Sequence, residues 1–234
     1  MNNLANLLTG LSLISGFVSL IFSLESHYTF ASWAIILSVI FDGLDGQIAR
    51  RNPIPSEFGK QLDSLVDVVS FGIAPAILGY IFIYRDFHQL LAVAALLIYL
   101  ISSVTRLAKY NITPKEELVN YFYGLPTTAS GGMLASFILI FRKGGEVFLP
   151  QFVPFVFLFL VLLLAFLMVS RVKYLNLDGL KQLFGANLLL VILSVILLLI
   201  IAGFLRKAGT TLFTLFLIYL IFSPFVVKRL NYSS

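Results

Sequence analysis

The segment Ala186–Leu205, ANLLLVILSVILLLIIAGFL, runs for twenty residues without a charged side chain, and Asn187 is its only carboxamide. As a helix it would rise about 30 Å, the thickness of a bilayer's hydrocarbon core. In water it would be apolar all round. In lipid its backbone hydrogen bonds close internally and the segment is stable. Similar runs recur along the chain. Eight spans are expected, at about Leu4–Leu24, Phe30–Arg50, Ser56–Tyr84, His88–Tyr110, Pro126–Phe141, Phe152–Val172, Ala186–Leu205 and Thr210–Val227. The third is long, and Pro75 is expected to kink it.

Composition agrees. Of 234 residues 59% are hydrophobic and 12% charged, with a mean hydropathy of +0.99. A soluble domain carries roughly twice that share of charge. An all-α, polytopic transmembrane bundle with no soluble domain is the expected fold. No cleavable signal peptide is expected, since only Met1, Asn2 and Asn3 precede the first span and none is basic. The absence of cysteine excludes disulfides, zinc thiolate sites and cysteine nucleophiles. His27 and His88 are the only histidines and stand far apart, which excludes a histidine metal cluster.

Orientation follows from the basic residues of the loops. With both termini on the cytoplasmic side, eleven Lys and Arg fall inside and five outside. Inside and outside are then distinguished by, for example, Arg50, Arg51 and Lys60 against Arg142 and Lys143. Both termini are expected in the cytoplasm.

Residues 42–67, DGLDGQIARRNPIPSEFGKQLDSLVD, are the exception to this apolarity. Asp42 and Asp45 are i, i+3 near the end of the second span; Asp63 and Asp67 are i, i+4 near the start of the third. Pro53 and Pro55 forbid a continuous helix between them. Both Asp42/Asp67 and Asp45/Asp63 are centred on the same turn, so an antiparallel hairpin places each pair at equal depth. One packed hairpin is expected to gather all four carboxylates near the cytoplasmic interface. Each pair at ~4–6 Å would then repel by roughly 3–4 kcal/mol at an effective dielectric near 20. Divalent cations relieve this most completely, and all-oxygen sites suit Mg²⁺, Mn²⁺ or Ca²⁺. Gly43, Gly46, Ala49 and Gly59 either let the helices pack closely or leave room for a ligand, and Arg50 lies within reach of a phosphate there.

The whole stretch fits D-x2-D-G-x2-A-R-x8-G-x3-D-x3-D, carried by Asp42, Asp45, Gly46, Ala49, Arg50, Gly59, Asp63 and Asp67. It resembles the signature of the CDP-alcohol phosphotransferases, integral-membrane enzymes of phospholipid synthesis. The run LDSLVDVVSFGIAPA at 62–76, Arg106 and Asn111, and YGLP at 123–126 are similar to the phosphatidylserine synthase branch. The resemblance covers about residues 3–130, and one catalytic domain over 1–234 is expected, with a core at 1–172 carrying the active site and two additional spans in 173–234. It implies transfer of a phosphatidyl group from CDP-diacylglycerol to L-serine with release of CMP, at the cytoplasmic face of the plasma membrane, by a homodimer. No nucleic-acid partner is expected.

By position, the resemblance makes Asp42, Asp45, Asp63 and Asp67 ligands of two Mg²⁺ or Mn²⁺ ions, with Asp67 also the general base. Gly46, Ala49, Arg50 and Gly59 fall near the nucleotide and its phosphates, joined by Asn6 and Thr9 of the first span. Arg106 offers a planar fork to serine's carboxylate, or else anchors the fourth span at the interface. Asn111, Gly124, Pro126 and Thr127 would complete the serine pocket, unless the last three merely start the fifth span. The alternatives within the family are an archaetidylserine synthase using CDP-archaeol, or a phosphatidylglycerophosphate or phosphatidylinositol-phosphate synthase. A cation transporter is the competing class, but it needs polar groups along a crossing path, and the charge here gathers near one face. Spans six to eight are expected to be chemically silent packing or lipid-facing helices.

Overall fold

The computed structural model describes residues 2–50, 57–83, 88–113, 121–143, 146–147, 150–176 and 207–232, with 179, 181, 183, 185, 194, 195 and 198 between them. Helices α1 (Asn2–Leu24) and α2 (Tyr28–Arg50) form an antiparallel hairpin. Helix α3 (Glu57–Asp67) runs through a π-helical segment, Val68–Ile73, into α4 (Ala74–Ile83). Helix α5 (Gln89–Ile112), strand β1 (Tyr121–Tyr123) and helix α6 (Thr127–Ile140) follow. A small hairpin of β2 (Arg142–Lys143) and β3 (Glu146–Val147) leads to helix α7 (Val153–Val169) and strand β4 (Lys173–Leu175). Helix α8 (Ala208–Tyr232) closes the described chain.

Among the described residues five helical rods are long and apolar enough to cross a membrane: Leu4–Leu24, Tyr28–Ala49, Glu57–Ile83, Gln89–Ile112 and Ala208–Arg229. The protein is a multi-pass membrane protein. The expected fifth and sixth spans are the shorter helices α6 and α7, and the expected seventh, Ala186–Leu205, lies almost wholly outside the described residues. The structure thus describes five full-length spans and two short ones where eight were expected. Helix α6 can be short because protein surrounds it. It packs against α2, α4, α7 and α8, and every residue from Ser130 to Ile138 is buried. Its fourteen residues, about 21 Å of helix, need not match the bilayer.

The outward faces carry Leu7, Phe17, Phe30, Phe159 and Phe166, all exposed, as lipid-facing residues should be. Inside, Phe71, Leu78, Tyr99, Leu134 and Phe157 form the core. Apolar burial drives little between helices in lipid, so close contact at small residues does more of the work. At Gly16 a Cβ would lie 2.9 Å from the Ser70 Cα, so α1 can rest on the π segment only with glycine there.

The expected kink at Pro75 takes a specific form. Proline has no N–H and its ring clashes with the carbonyl four residues earlier, which is Phe71's. The chain widens to a π-helix just before it, with the Ala74 N–H donating to the Val69 carbonyl. The Tyr99 hydroxyl of α5 donates to the Phe71 carbonyl at 2.8 Å, supplying the donor that proline lacks. Asp67 is the last α-helical residue before this segment, so its side chain projects from the junction of two helical geometries.

Candidate active site

Helices α2 and α3 hold the polar centre. Carboxylate oxygens of Asp42, Asp63 and Asp67 all lie within 4.8 Å of one another. Asp45 lines the same cavity as these three but is set a little apart from their close group. Three residues turn a helix by about 300°, so Asp45 points some 60° away from Asp42. It meets α1 instead, where the Thr9 hydroxyl donates to its Oδ2 at 2.7 Å. Asp45 and Asp67 are buried, and Asp42 and Asp63 half-buried.

At 4.8 Å each carboxylate pair repels by about 3–4 kcal/mol at an effective dielectric near 20. Among the described residues no Lys or Arg nitrogen is recorded within ion-pair distance of these groups, and the His27–Glu25 pair lies at the other end of α2. The Lys60 ammonium donates to the Asn111 carbonyl at 2.7 Å. The Arg50 side chain lies outside the described residues. Asp67 Oδ1 is buried with no hydrogen-bond partner, whereas its Oδ2 accepts from the Thr127 hydroxyl at 3.4 Å. An all-carboxylate group with one orphaned buried oxygen fits a hard divalent cation.

A cavity of about 940 Å³ opens beside these carboxylates. Asn6 and Thr9 of α1, Gly46 and Ala49 of α2, and Gly59 of α3 line it. Arg106, Asn111 and Pro126 line it also.

Arg106 is 7% exposed, so it is no interfacial anchor. Its Nη1 donates to Thr127 Oγ1 at 3.2 Å, and Thr127 in turn reaches Asp67, making a relay Arg106–Thr127–Asp67. The guanidinium lies 5.5 Å from the Tyr110 ring centroid and 5.8 Å from that of Phe122, while Nε has no hydrogen-bond partner. A buried fork held between aromatic faces with a donor to spare is ready for an anionic group. Thr127 itself does not line the cavity; it orients the two residues that do.

Asn111 donates from Nδ2 to the Ser64 hydroxyl at 2.7 Å, locking α5 to α3 one residue from Asp63. Gly124 is turned away from the cavity. Its φ of +73° is left-handed, and a Cβ there would run into the Met168 carbonyl of α7. Its N–H donates to the Val172 carbonyl at 2.8 Å, so its part is to bring the chain sharply into α6.

Residues 2–172 match the CDP-alcohol phosphatidyltransferase family. The chain belongs to that family. It is 34% identical over 215 residues to the CDP-diacylglycerol–serine O-phosphatidyltransferase of Helicobacter pylori strain 26695, covering 92% of this chain and 87% of that protein. It is 33% identical over 171 residues to the enzyme of the same name from Methanocaldococcus jannaschii, covering 73% of each. The archaetidylserine synthase of Methanothermobacter thermautotrophicus is 32% identical over 178 residues, covering 75% of this chain and 71% of that one. The family is generally divalent-metal dependent, and this chain carries its aspartate cluster on α2 and α3.

The phosphatidyltransferase site extends beyond what sequence reading marked. Helix α8 was expected to be silent, yet Leu212, Leu215, Phe216 and Tyr219 all face the cavity. Leu175, Asn176 and Phe122 join them from the strand region. The signal for Tyr219 was faint, a single hydroxyl amid the apolar run FLIYLIF. For Leu212 and Phe216 there was none, because an apolar residue that lines a site reads like one that faces lipid.

Proposed function

We propose that this chain transfers the phosphatidyl group of CDP-diacylglycerol to the hydroxyl of L-serine and releases CMP. The bond from serine oxygen to the lipid-linked phosphorus forms, the bond from that phosphorus to CMP breaks, and serine's hydroxyl proton is taken up by the protein. The observation that carries this reading is the pairing of two unlike sites in one cavity. The Asp42–Asp63–Asp67 group sits beside a buried arginine, and Thr127 touches both. The names of the bacterial and archaeal relatives support the same substrates.

Two divalent cations, Mg²⁺ or Mn²⁺, held by Asp42, Asp45, Asp63 and Asp67, would supply the charge that lets a pyrophosphate sit among carboxylates. Asp67 is the general base. Thr127 orients its carboxylate through Oδ2 toward the serine hydroxyl. Arg106 binds serine's carboxylate, with Asn111 and Pro126 shaping the pocket around the amino acid. Asn6, Thr9, Gly46, Ala49, Arg50 and Gly59 hold the nucleotide and its phosphates. Gly124 and Thr127 serve the serine side through the turn and the relay described above. The catalytic domain spans 1–234, and its active site faces the cytoplasm from the plasma membrane, in a homodimer.

The lipid tails are the open choice between CDP-diacylglycerol and CDP-archaeol. The cavity flank of Val39, Leu212, Leu215 and Phe216 accepts any hydrocarbon, and one similar protein is an archaetidylserine synthase. The deciding experiment offers purified protein each CDP-lipid with L-serine, glycerol 3-phosphate or inositol phosphate, and measures CMP release. Serine-dependent release with CDP-diacylglycerol is expected. Release that needs glycerol 3-phosphate or inositol phosphate, with serine inert, would overturn the assignment.

A further inference from the structure

Strand β4 and helix α8 meet in an arrangement that the transfer chemistry does not require. Leu175 ends β4 and is buried. Its carbonyl accepts from the Tyr219 hydroxyl at 3.0 Å, and its N–H donates to the Ser223 hydroxyl. Tyr219 and Ser223 stand four residues apart, on one face of α8. A strand residue in a two-stranded sheet has one edge open, and here two side chains of a distant helix occupy both backbone groups on it.

The other edge of β4 leads to the site. Leu175 pairs with Tyr121 and Tyr174 with Phe122 in antiparallel register. The Phe122 ring lies 5.6 Å from that of Tyr110 and 5.8 Å from the Arg106 guanidinium. Tyr174 in turn packs on Tyr219, with ring centroids 5.9 Å apart. Lys173 lies over the Tyr121 ring at 4.2 Å and holds the two strands together from the outside. The contacts thus run α8, β4, β1, Phe122, Arg106. Everything from Lys173 onward lies outside residues 2–172, the stretch that matches the family as a whole.

We propose that Tyr219 and Ser223 are positioning residues for the acceptor: they clamp β4, which fixes Phe122 over Arg106 and so sets how tightly the acceptor alcohol is held. The inference rests on the reading of Arg106 as the ligand of serine's carboxylate. It divides the site by region. The carboxylates sit on α2 and α3, and the hold on the acceptor is set by Tyr219 and Ser223 of α8, the helix whose Leu212, Leu215 and Phe216 flank the lipid side. Tyr219 lines the cavity and Ser223 does not, and the two meet at the backbone of Leu175.

The test measures KM for serine and for CDP-diacylglycerol separately in Tyr219→Phe and Ser223→Ala, with Ser223→Thr as the variant that keeps a hydroxyl. Loss of one hydrogen bond corresponds to a change of about 3–10-fold. Serine KM is expected to rise by that factor in both variants, with CDP-lipid KM within about twofold of wild type, and Ser223→Thr is expected to restore the wild-type serine value. A merely structural clamp predicts otherwise: a lower melting temperature with both KM values unchanged, or both raised together. Either result would overturn the proposal. Arg106→Lys separates the two levels. If it leaves serine KM unchanged, the reading of Arg106 fails; if it raises serine KM while the α8 variants do not, only the role of α8 fails.

Discussion

Helices α2 and α3, which meet through α1 and not as the closely packed hairpin expected, and the wall built by β4 and α8 bound the same cavity, but they entered it by different routes. Helix spacing puts Asp63 and Asp67 on one face of α3, and Asp42 meets them from α2, with α1 packed against both helices. The wall is assembled from residues 121–123, 173–176 and 212–219, which no local rule connects. Helices α2 and α3 hold charges that can exist in a membrane only with partners. The wall holds side chains that lipid would accept equally well. Charge is conspicuous in an apolar chain because misplacing it is costly. An apolar wall costs nothing to misplace, so it leaves no mark.

The sharpest way to break this contrast is at Asp67. Asp67→Asn keeps the shape and removes the basicity, and should lower turnover by about 10²–10⁴-fold while the CDP-lipid still binds. Single-turnover CMP release together with nucleotide binding would check it. A variant keeping more than about a tenth of wild-type turnover would return Asp67 to the role of a plain ligand. Thorough chelation should abolish transfer as well, and activity that persists without divalent metal would remove the reason for grouping the carboxylates.

Arg106 comes next, since it joins the two regions. Arg106→Lys keeps the charge but loses the fork and the contact with Thr127. Serine KM should rise by about 10–100-fold, the size of a lost hydrogen bond to a charged group, with a smaller change in CDP-lipid KM. Equal effects on both substrates would place Arg106 on the carboxylates' side of the cavity.

Thr9→Val probes the aspartate set apart. It removes the donor to Asp45 at nearly constant volume, and should weaken metal-dependent nucleotide binding by about 10-fold. Calorimetric titration of CDP against the variant would show it, and no change would mean that Asp45 lies outside the working site. Leu215→Ala, on the wall, should give the smallest effect. Loss of a methylene or so of contact raises CDP-lipid KM by about fourfold and leaves serine KM alone. A change in serine KM instead would extend the acceptor wall deeper along α8.

The sequence alone determined the membrane class, the positions of the long spans, and the identity of the carboxylates. Each rests on patterns of short range: runs of apolar residues about as long as a bilayer is thick, and aspartates three or four apart on a helix. It also placed a break near Pro75, although the π-helix that absorbs it needed Tyr99 of another helix to supply the donor at Phe71. Tertiary structure decided which carboxylates meet. Asp45 turns to Thr9 because α1 packs along that face of α2, and spacing along α2 and α3 carries no knowledge of α1. It decided that Arg106 is buried beside Thr127, where the sequence left it equally fit to reach a lipid phosphate. It alone brought α8 to the cavity. A residue's neighbours along the chain fix its depth and its face, but which helix it faces depends on how all the others pack, and in lipid an apolar face fits many neighbours equally well.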